Sequence, residues 1–183
     1  MLLNRQKVIK TKKMKYLATF LTVLTIMTTS AMAQNGKAVT VKKTFSRETT
    51  ISIEIKADAA IVWALLTEAS GYTKWNSTIT SLEGNIALGE KIKLKSTLDA
   101  KRTFKLKVKE FEVEKRLVWG DGQGNRVYTI VKNASGTITF TMTEKIGGLM
   151  FPMYARMIPS FDQSFEQFAT DLKKEAESKM NTK

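Results

Sequence analysis

The hydrophobic period of the chain changes once, abruptly, inside the stretch ISIEIKADAAIVWALLTEASGYTKWN that runs from Ile51 to Asn76. Ile51, Ile53 and Ile55 alternate with Ser52, Glu54 and Lys56, which is the pattern of a strand with one buried face. From Asp58 onward the spacing is helical. Asp58 is a residue type that caps helix N-termini, and Ile61, Val62, Leu65 and Leu66 recur on one helical face with Trp63 beside them. Gly71 breaks the run, and Tyr72 and Trp75 follow as a short second helical turn. Such a strand needs sheet neighbours, and such helices need an apolar layer to cover.

The residues after Asn76 supply the sheet. Ile79–Glu83 reads as a short strand, and Gly84-Asn85 and Gly89-Glu90 are turn signals. Lys91–Leu98 places Ile92, Leu94, Ser96 and Leu98 opposite Lys91, Lys93 and Lys95. Phe104–Glu110 places Phe104, Leu106 and Val108 opposite Lys105, Lys107 and Lys109. If the two lysine faces share one side, paired residue numbers sum to an even value. Pairing Leu98 with Phe104 leaves a loop over Asp99–Thr103, so that Lys95 faces Lys107 and Lys93 faces Lys109. Phe111 and Val113 break the parity, which predicts a bulge near Glu110. Leu117–Trp119 begins another strand, ended by Gly120-Asp121-Gly122. Arg126–Lys132 and Thr137–Lys145 form a hairpin around Asn133–Gly136.

Past Gly147-Gly148, Phe161, Phe165, Phe168 and Leu172 recur at helical spacing, with Asp162, Glu166, Lys173 and Lys174 mostly opposite. This predicts a long amphipathic helix from Pro159-Ser160 to about Ser178. The fold class is therefore α+β: a curved antiparallel sheet of about six or seven strands wrapped around the C-terminal helix, with two short helices after the first strand.

Residues 1–33 read as a signal peptide. Arg5, Lys7, Lys10, Lys12, Lys13 and Lys15 precede an apolar, threonine-rich run, and Ala31-Met32-Ala33 supplies the small-x-small cleavage pattern. Met14 is an alternative start. An uncleaved anchor is the other reading, but a span needs about 20 apolar residues and this run is shorter. Cleavage leaves residues 34–183: a flexible lead-in over 34–48, with an early start of the first strand as the alternative, one domain over 49–178, and a tail over 179–183. The expected location is secreted or periplasmic. Removing the six leader cations leaves 24 Lys and Arg against 17 Asp and Glu, so the net charge falls from +13 to +7.

The chain has no cysteine and no histidine. Its core must hold without disulfides. Ser-His-Asp and Cys-His chemistry and the usual zinc sites are excluded by composition. No glycine-rich phosphate loop is present. Neither a cofactor nor a metal is expected, and export argues against nucleic acid as a partner.

The order of elements, with Ile53-Glu54-Ile55-Lys56-Ala57 leading into Ile61-Val62-Trp63, resembles the START-like superfamily, also called SRPBCC or the helix-grip fold. Its polyketide cyclase/dehydrase and lipid-transport branch is the most similar. Tyr72-Thr73-Lys74-Trp75-Asn76, Leu117-Val118-Trp119, Gly136-Thr137 and the closing helix with Leu172-Lys173-Lys174 carry the rest of the resemblance, which spans 49–178. Where the family often has proline, the chain reads Asp58-Ala59 and Ser77.

The resemblance implies a cavity between sheet and C-terminal helix that takes a hydrophobic small molecule or lipid. Parity and helix spacing nominate its lining: Leu94, Ser96, Leu106, Trp119, Tyr128, Ile130, Phe140 and Met142 from the sheet, Met157, Phe161 and Phe165 from the helical segment, and Trp75. Met150, Met153 and Met157 would sit near its mouth. The same side chains could instead fill the core completely.

Three readings follow. The first is a non-catalytic carrier or sensor of a hydrophobic ligand. The second is a cyclase- or dehydratase-like enzyme. It requires a buried acid or base, yet Trp75, Tyr128, Tyr154, Arg156 and Asp162 stand at no telling spacing, so no catalytic residue is assigned. The third is an envelope interaction protein whose Lys91, Lys93, Lys95, Lys105, Lys107 and Lys109 face an anionic membrane surface. Against it, such lysines also serve simply to keep a solvated sheet face soluble.

Overall fold

The computed structural model describes residues 36–182. The expected leader lies outside the described residues. Three elements open the domain: β1 (Val39–Lys43), β2 (Ser46–Ile55) and helix α1 (Ala59–Thr67). Asp58 stands at the head of α1, where its carbonyl accepts the Ile61 and Val62 amides. A single 3-10 turn (Ala69–Gly71) then leads into α2 (Tyr72–Trp75). The change of period inside Ile51–Asn76 is thus a strand followed by two helices that cover the sheet.

The remaining strands are β3 (Ile79–Glu83), β4 (Lys91–Ser96), β5 (Asp99–Glu112), β6 (Arg116–Gly120), β7 (Gly124–Lys132) and β8 (Ile138–Gly147). A short helix α3 (Phe151–Tyr154) and a 3-10 turn (Ala155–Met157) follow, and the long helix α4 (Asp162–Asn181) closes the chain.

The sheet is antiparallel throughout, in the order β1-β2-β8-β7-β6-β5-β4-β3. Phe165, Phe168, Ala169, Leu172 and Ala176 form the buried stripe of α4. They pack on the inward residues of the central strands, among them Ile51, Ile53 and Ile55 of β2. The helix-grip architecture expected from the sequence is the one observed.

Two local expectations are corrected. The lead-in contributes an eighth strand. Val39–Lys43 pairs with Ser46–Thr50, and the Thr40 hydroxyl bonds Asp162 of α4 and reaches Thr49 at 2.8 Å. The first hairpin after β3 is also tighter than expected. Lys93 faces Lys105 and Lys91 faces Lys107, with Leu94 opposite Phe104. The parity rule holds, but the turn is Thr97-Leu98, not Asp99–Thr103. A register shift between Leu94 and Ser96 makes the difference: its odd step changes the pairing parity between the tight turn and the lysine pairs, so the lysines still face one another. The bulge expected near Glu110 lies between Val108 and Glu110.

Candidate functional site at the sheet–helix seam

Aromatic residues fill the space between the sheet and α4. Phe168 of α4 stacks on Tyr128 and Phe140, at centroid distances of 5.8 and 6.4 Å. Trp119 meets Tyr128 edge-on at 5.0 Å. Tyr72 and Trp75 of α2 close the far side against Phe168. The Tyr72 hydroxyl donates to the Leu66 carbonyl at 2.9 Å. Trp119, Tyr128 and Phe165 are each 1% exposed, and Phe140 and Met142 are 0% exposed. These side chains pack against one another with almost no open surface. In this arrangement these five candidate lining residues are part of the core.

The interior becomes polar toward the N-terminus of α4. Arg126 of β7 and Glu144 of β8 are cross-strand partners, and their side chains pair at 2.5 Å. The Arg126 guanidinium lies over the Phe165 ring, 5.3 Å from its centroid. Burial works against the charge on Arg126, but Glu144 and Tyr128 outweigh it and hold the guanidinium above its ordinary range. Burial likewise keeps the Tyr128 phenol protonated well above the usual tyrosine value, and Arg126 offsets only part of this.

One strand over, Arg47 of β2 stacks on Phe161 at 4.7 Å and donates to the Ile158 carbonyl at 3.2 Å and the Pro159 carbonyl at 2.7 Å. Burial lowers its pKa, while Asp162 and Glu144 act in the opposite direction. Arg47 therefore ties the segment between β8 and α4 down onto the sheet. Phe161 and Phe165 stack 5.9 Å apart beneath the two guanidiniums. Among the described residues four buried polar atoms lack a partner in strict hydrogen-bond geometry: Arg47 Nε, Trp119 Nε1 and Tyr128 Oη at or beside the seam, and Trp75 Nε1 away from it. The Arg126 guanidinium still engages the Tyr128 oxygen, which leaves the phenol's own proton unused. Buried polar groups are nearly always satisfied, so three unused donors at one seam need an explanation.

Of the candidate ligand residues, Trp119, Tyr128, Ile130, Phe140, Met142, Phe161 and Phe165 come together at or beside this seam. Leu94, Ser96 and Leu106 face inward toward the β3 edge, and Leu106 is only half-buried. Trp75 lies at the other end of α4 and lines a shallow groove of about 460 Å³ with Ile61, Leu65 and Lys179. Met157 does not face inward; it is 82% exposed.

Asp162 belongs to the seam through Thr40. Tyr154 packs on Phe151, and Arg156 points outward. The six lysines are exposed on the outer face of β4 and β5. Among them, Lys93 is 3.7 Å from Glu83, and Lys109 donates to the Asp121 carbonyl and Asn125 Oδ1. A second depression of about 480 Å³ lies outside the seam where Phe45, Asp121–Asn125, Lys145 and Gly147-Gly148 meet.

Sequence reasoning missed Arg47, Arg126 and Glu144. Arg126 and Glu144 share the hairpin register that pairs Tyr128 with Met142 and Ile130 with Phe140, and two opposite charges on an otherwise apolar inward face were the available signal.

A family model of polyketide cyclase / dehydrase and lipid transport proteins matches residues 46–177. No curated protein matches the sequence. Solved structures match the fold. A Nitrosomonas europaea protein superposes with a TM-score of 0.56 at 16% identity, over 76% of this chain and 98% of that one. A hypothetical protein of Helicobacter pylori gives 0.57 at 13% identity, over 69% and 86%. A truncated norcoclaurine synthase from Thalictrum flavum gives 0.53 at 12% identity, over 74% and 96%. At these identities the likeness speaks for the fold alone.

Proposed function

Because the chain belongs to the polyketide cyclase/dehydrase and lipid transport family, we propose that it is an exported, non-catalytic binder of a hydrophobic small molecule or lipid, held at the seam between the sheet and α4. The observation that carries this reading is a set of buried donors left unused, Arg47 Nε, Trp119 Nε1 and the Tyr128 hydroxyl proton, the Tyr128 oxygen being engaged only by Arg126. An apolar ligand with one polar group would satisfy donors that the protein leaves unused, in a setting where each unpaired donor is costly.

Binding has to open the seam, since Phe161 and Phe165 occupy it. The segment tied by Arg47 to Ile158 and Pro159 is the natural door. Two features favour binding over catalysis. The chain lacks histidine and cysteine, and the buried groups of the seam are fixed in one protonation state: Arg126 is held charged and Tyr128 is held neutral. Neither is poised to exchange a proton near neutral pH.

The test is native mass spectrometry of the chain purified from the cell envelope, followed by titration with long-chain fatty acids, sterols and isoprenoids. A retained apolar molecule, displaced from wild type and bound more weakly by Tyr128→Phe, is the expected result. A chain that carries nothing and binds none of the panel sinks the reading. N-terminal sequencing of the same material should begin at Gln34 if the leader is cleaved.

A further inference from the structure

The connection between β8 and α4 exposes its apolar side chains. Leu149 is 83% exposed, Met153 75% and Met157 82%, and Met150 is also exposed. The packing explains how. Phe151 is buried and sets its ring edge-on to Tyr154 at 5.6 Å, which anchors one face of the short helix. Met150 precedes this short helix, Met153 lies within it and Met157 ends the 3-10 turn that follows, and all three stay exposed while Phe151 is buried. Phe45, in the β1–β2 turn, lies alongside, since its carbonyl accepts the Gly148 amide at 3.0 Å, and its ring is also exposed. The result is an exposed apolar tip made of five large side chains on one connection and the turn beside it. Isolated exposed hydrophobes are ordinary, but a contiguous set marks an interaction site.

Charge narrows the occupant. No acidic residue occurs from Lys145 to Phe161, or from Gly36 to Arg47. Lys42, Lys43, Lys145 and Arg156 are exposed around the tip. A second copy docking face to face would set these cations against themselves. The leader offers no better match, because it carries six cations and no acid. Asp121 lines the depression beside Phe45 and Gly148, but its carboxylate accepts the Gln123 and Gly124 amides. Exposed methionines with cations around them therefore suit an anionic bilayer, where apolar side chains enter the headgroup boundary and lysines remain at the surface. The outer lysine face has charge but no comparable set of apolar side chains to insert.

We propose that this tip, Phe45 with Leu149, Met150, Met153 and Met157, docks the protein on anionic lipid membranes. The proposal goes beyond the ligand reading and stands without it: a chain whose interior binds nothing still docks, and the assay below contains no soluble ligand.

The chain is free of cysteine, so a single polarity-sensitive fluorophore can be placed on the full-length protein at Met153→Cys or, on the lysine face, at Lys105→Cys. Each labelled chain is mixed with vesicles of phosphatidylglycerol and phosphatidylcholine, or of phosphatidylcholine alone. The expected result is a blue shift at position 153, quenched by lipid-borne nitroxide, on the anionic vesicles only, with position 105 still reporting water. Even if the leader tethers the chain to the vesicle, the two labels still distinguish which face meets the bilayer. In co-sedimentation of the chain lacking the leader by natural cleavage, Met153→Asp with Met157→Asp lowers partitioning about a hundredfold, roughly tenfold for each methionine removed from the apolar boundary. The proposal is overturned by a label at 153 that reports water on bound chain, by an equal shift on zwitterionic vesicles, or by a shift confined to 105. A concentration-dependent shift at 153 without vesicles overturns it in favour of self-association.

Discussion

Removing the charge of Glu144 should reveal how dry the seam is. Arg126 and Glu144 meet at 2.5 Å with only 15% and 17% of their side-chain surfaces exposed. Breaking a buried pair by removing one partner costs about 3–5 kcal/mol, because the remaining charge is left without compensation. Glu144→Gln should fall at the low end, about 3 kcal/mol, since both side chains keep some access to water. In urea unfolding that is a midpoint loss of about 2 M if m is near 1.5 kcal/mol/M, with m itself unchanged. Arg126→Met should cost a similar amount by stranding Glu144. The double variant Arg126→Met with Glu144→Leu should recover to within about 1 kcal/mol of wild type, because the attraction in such a pair does little more than offset its own desolvation. The assay is a double-mutant cycle at neutral pH and low salt, followed by circular dichroism. If each single variant costs under about 1 kcal/mol and the double is their sum, the pair is solvated. The orphaned donors beside it would then be wet, and the argument for a ligand at the seam would lose its footing.

Two further outcomes test other parts of the structure. Burial raises the pKa of both Tyr72 and Tyr128, so the unfolded chain releases these protons first. The stability they contribute is therefore fully present below about pH 10 and is lost as pH rises toward the raised folded values, at up to about 1.4 kcal/mol per pH unit for each tyrosine. Tyr72→Phe should roughly halve that slope in alkaline urea titrations, and an unchanged slope would show that the Tyr72 phenol does not contribute to it. On the outer face, Lys107→Glu places an acid opposite Lys91. It should raise the urea midpoint at low salt and lose the gain near 1 M salt, where the screening length is about 3 Å. A gain that persists in salt would mean that something other than charge repulsion limits that hairpin.

The fold was legible wherever one period dominated. Ile51–Ile55 alternates and becomes β2, and the apolar run from Ile61 to Leu66 becomes the buried face of α1. The spacing of Phe161, Phe165, Phe168 and Leu172 places α4 within a few residues. Parity fixed which face each strand buries, but not the register of β4 on β5, because the bulge after Leu94 leaves no trace in the alternation. Val39–Lys43 was missed as a strand since its residues, Val-Thr-Val-Lys-Lys, are nearly all exposed and carry no buried face; pairing with β2 and the Thr40–Asp162 contact hold it. The site was harder to read. Periodicity cannot say whether inward side chains enclose a hollow or fill it, and here they fill it. Met157 shares the spacing of the apolar helix face, yet the chain leaves regular helix between Met157 and Asp162, so the methionine turns outward. Arg126 and Glu144 are inward by parity, but a charge at an inward position is meaningful only once its partner's register is known.

A filled interior sets the terms on which a ligand can bind. Arg47 holds the Ile158 and Pro159 carbonyls and stacks on Phe161. Hydrogen bonds to charged groups contribute about 1.5–3 kcal/mol each, so releasing two of them sets an opening cost of about 3–6 kcal/mol. At about 1.4 kcal/mol per factor of ten, the closed form outweighs the open one by roughly 10² to 10⁴, and the apparent affinity for any interior ligand falls by the same factor. The same segment, twelve residues long from Gly147 to Ile158, carries the Arg47-bound carbonyl at one end and the exposed methionines along its length. A surface that binds those methionines can favour opening only by the difference between its affinities for the open and closed segment. If the methionine tip docks as proposed, closure at Arg47 and docking act on one element from opposite sides. The carbonyl bonds would keep the aromatic interior shut in water, and a bilayer would offer the apolar side chains a competing place to go.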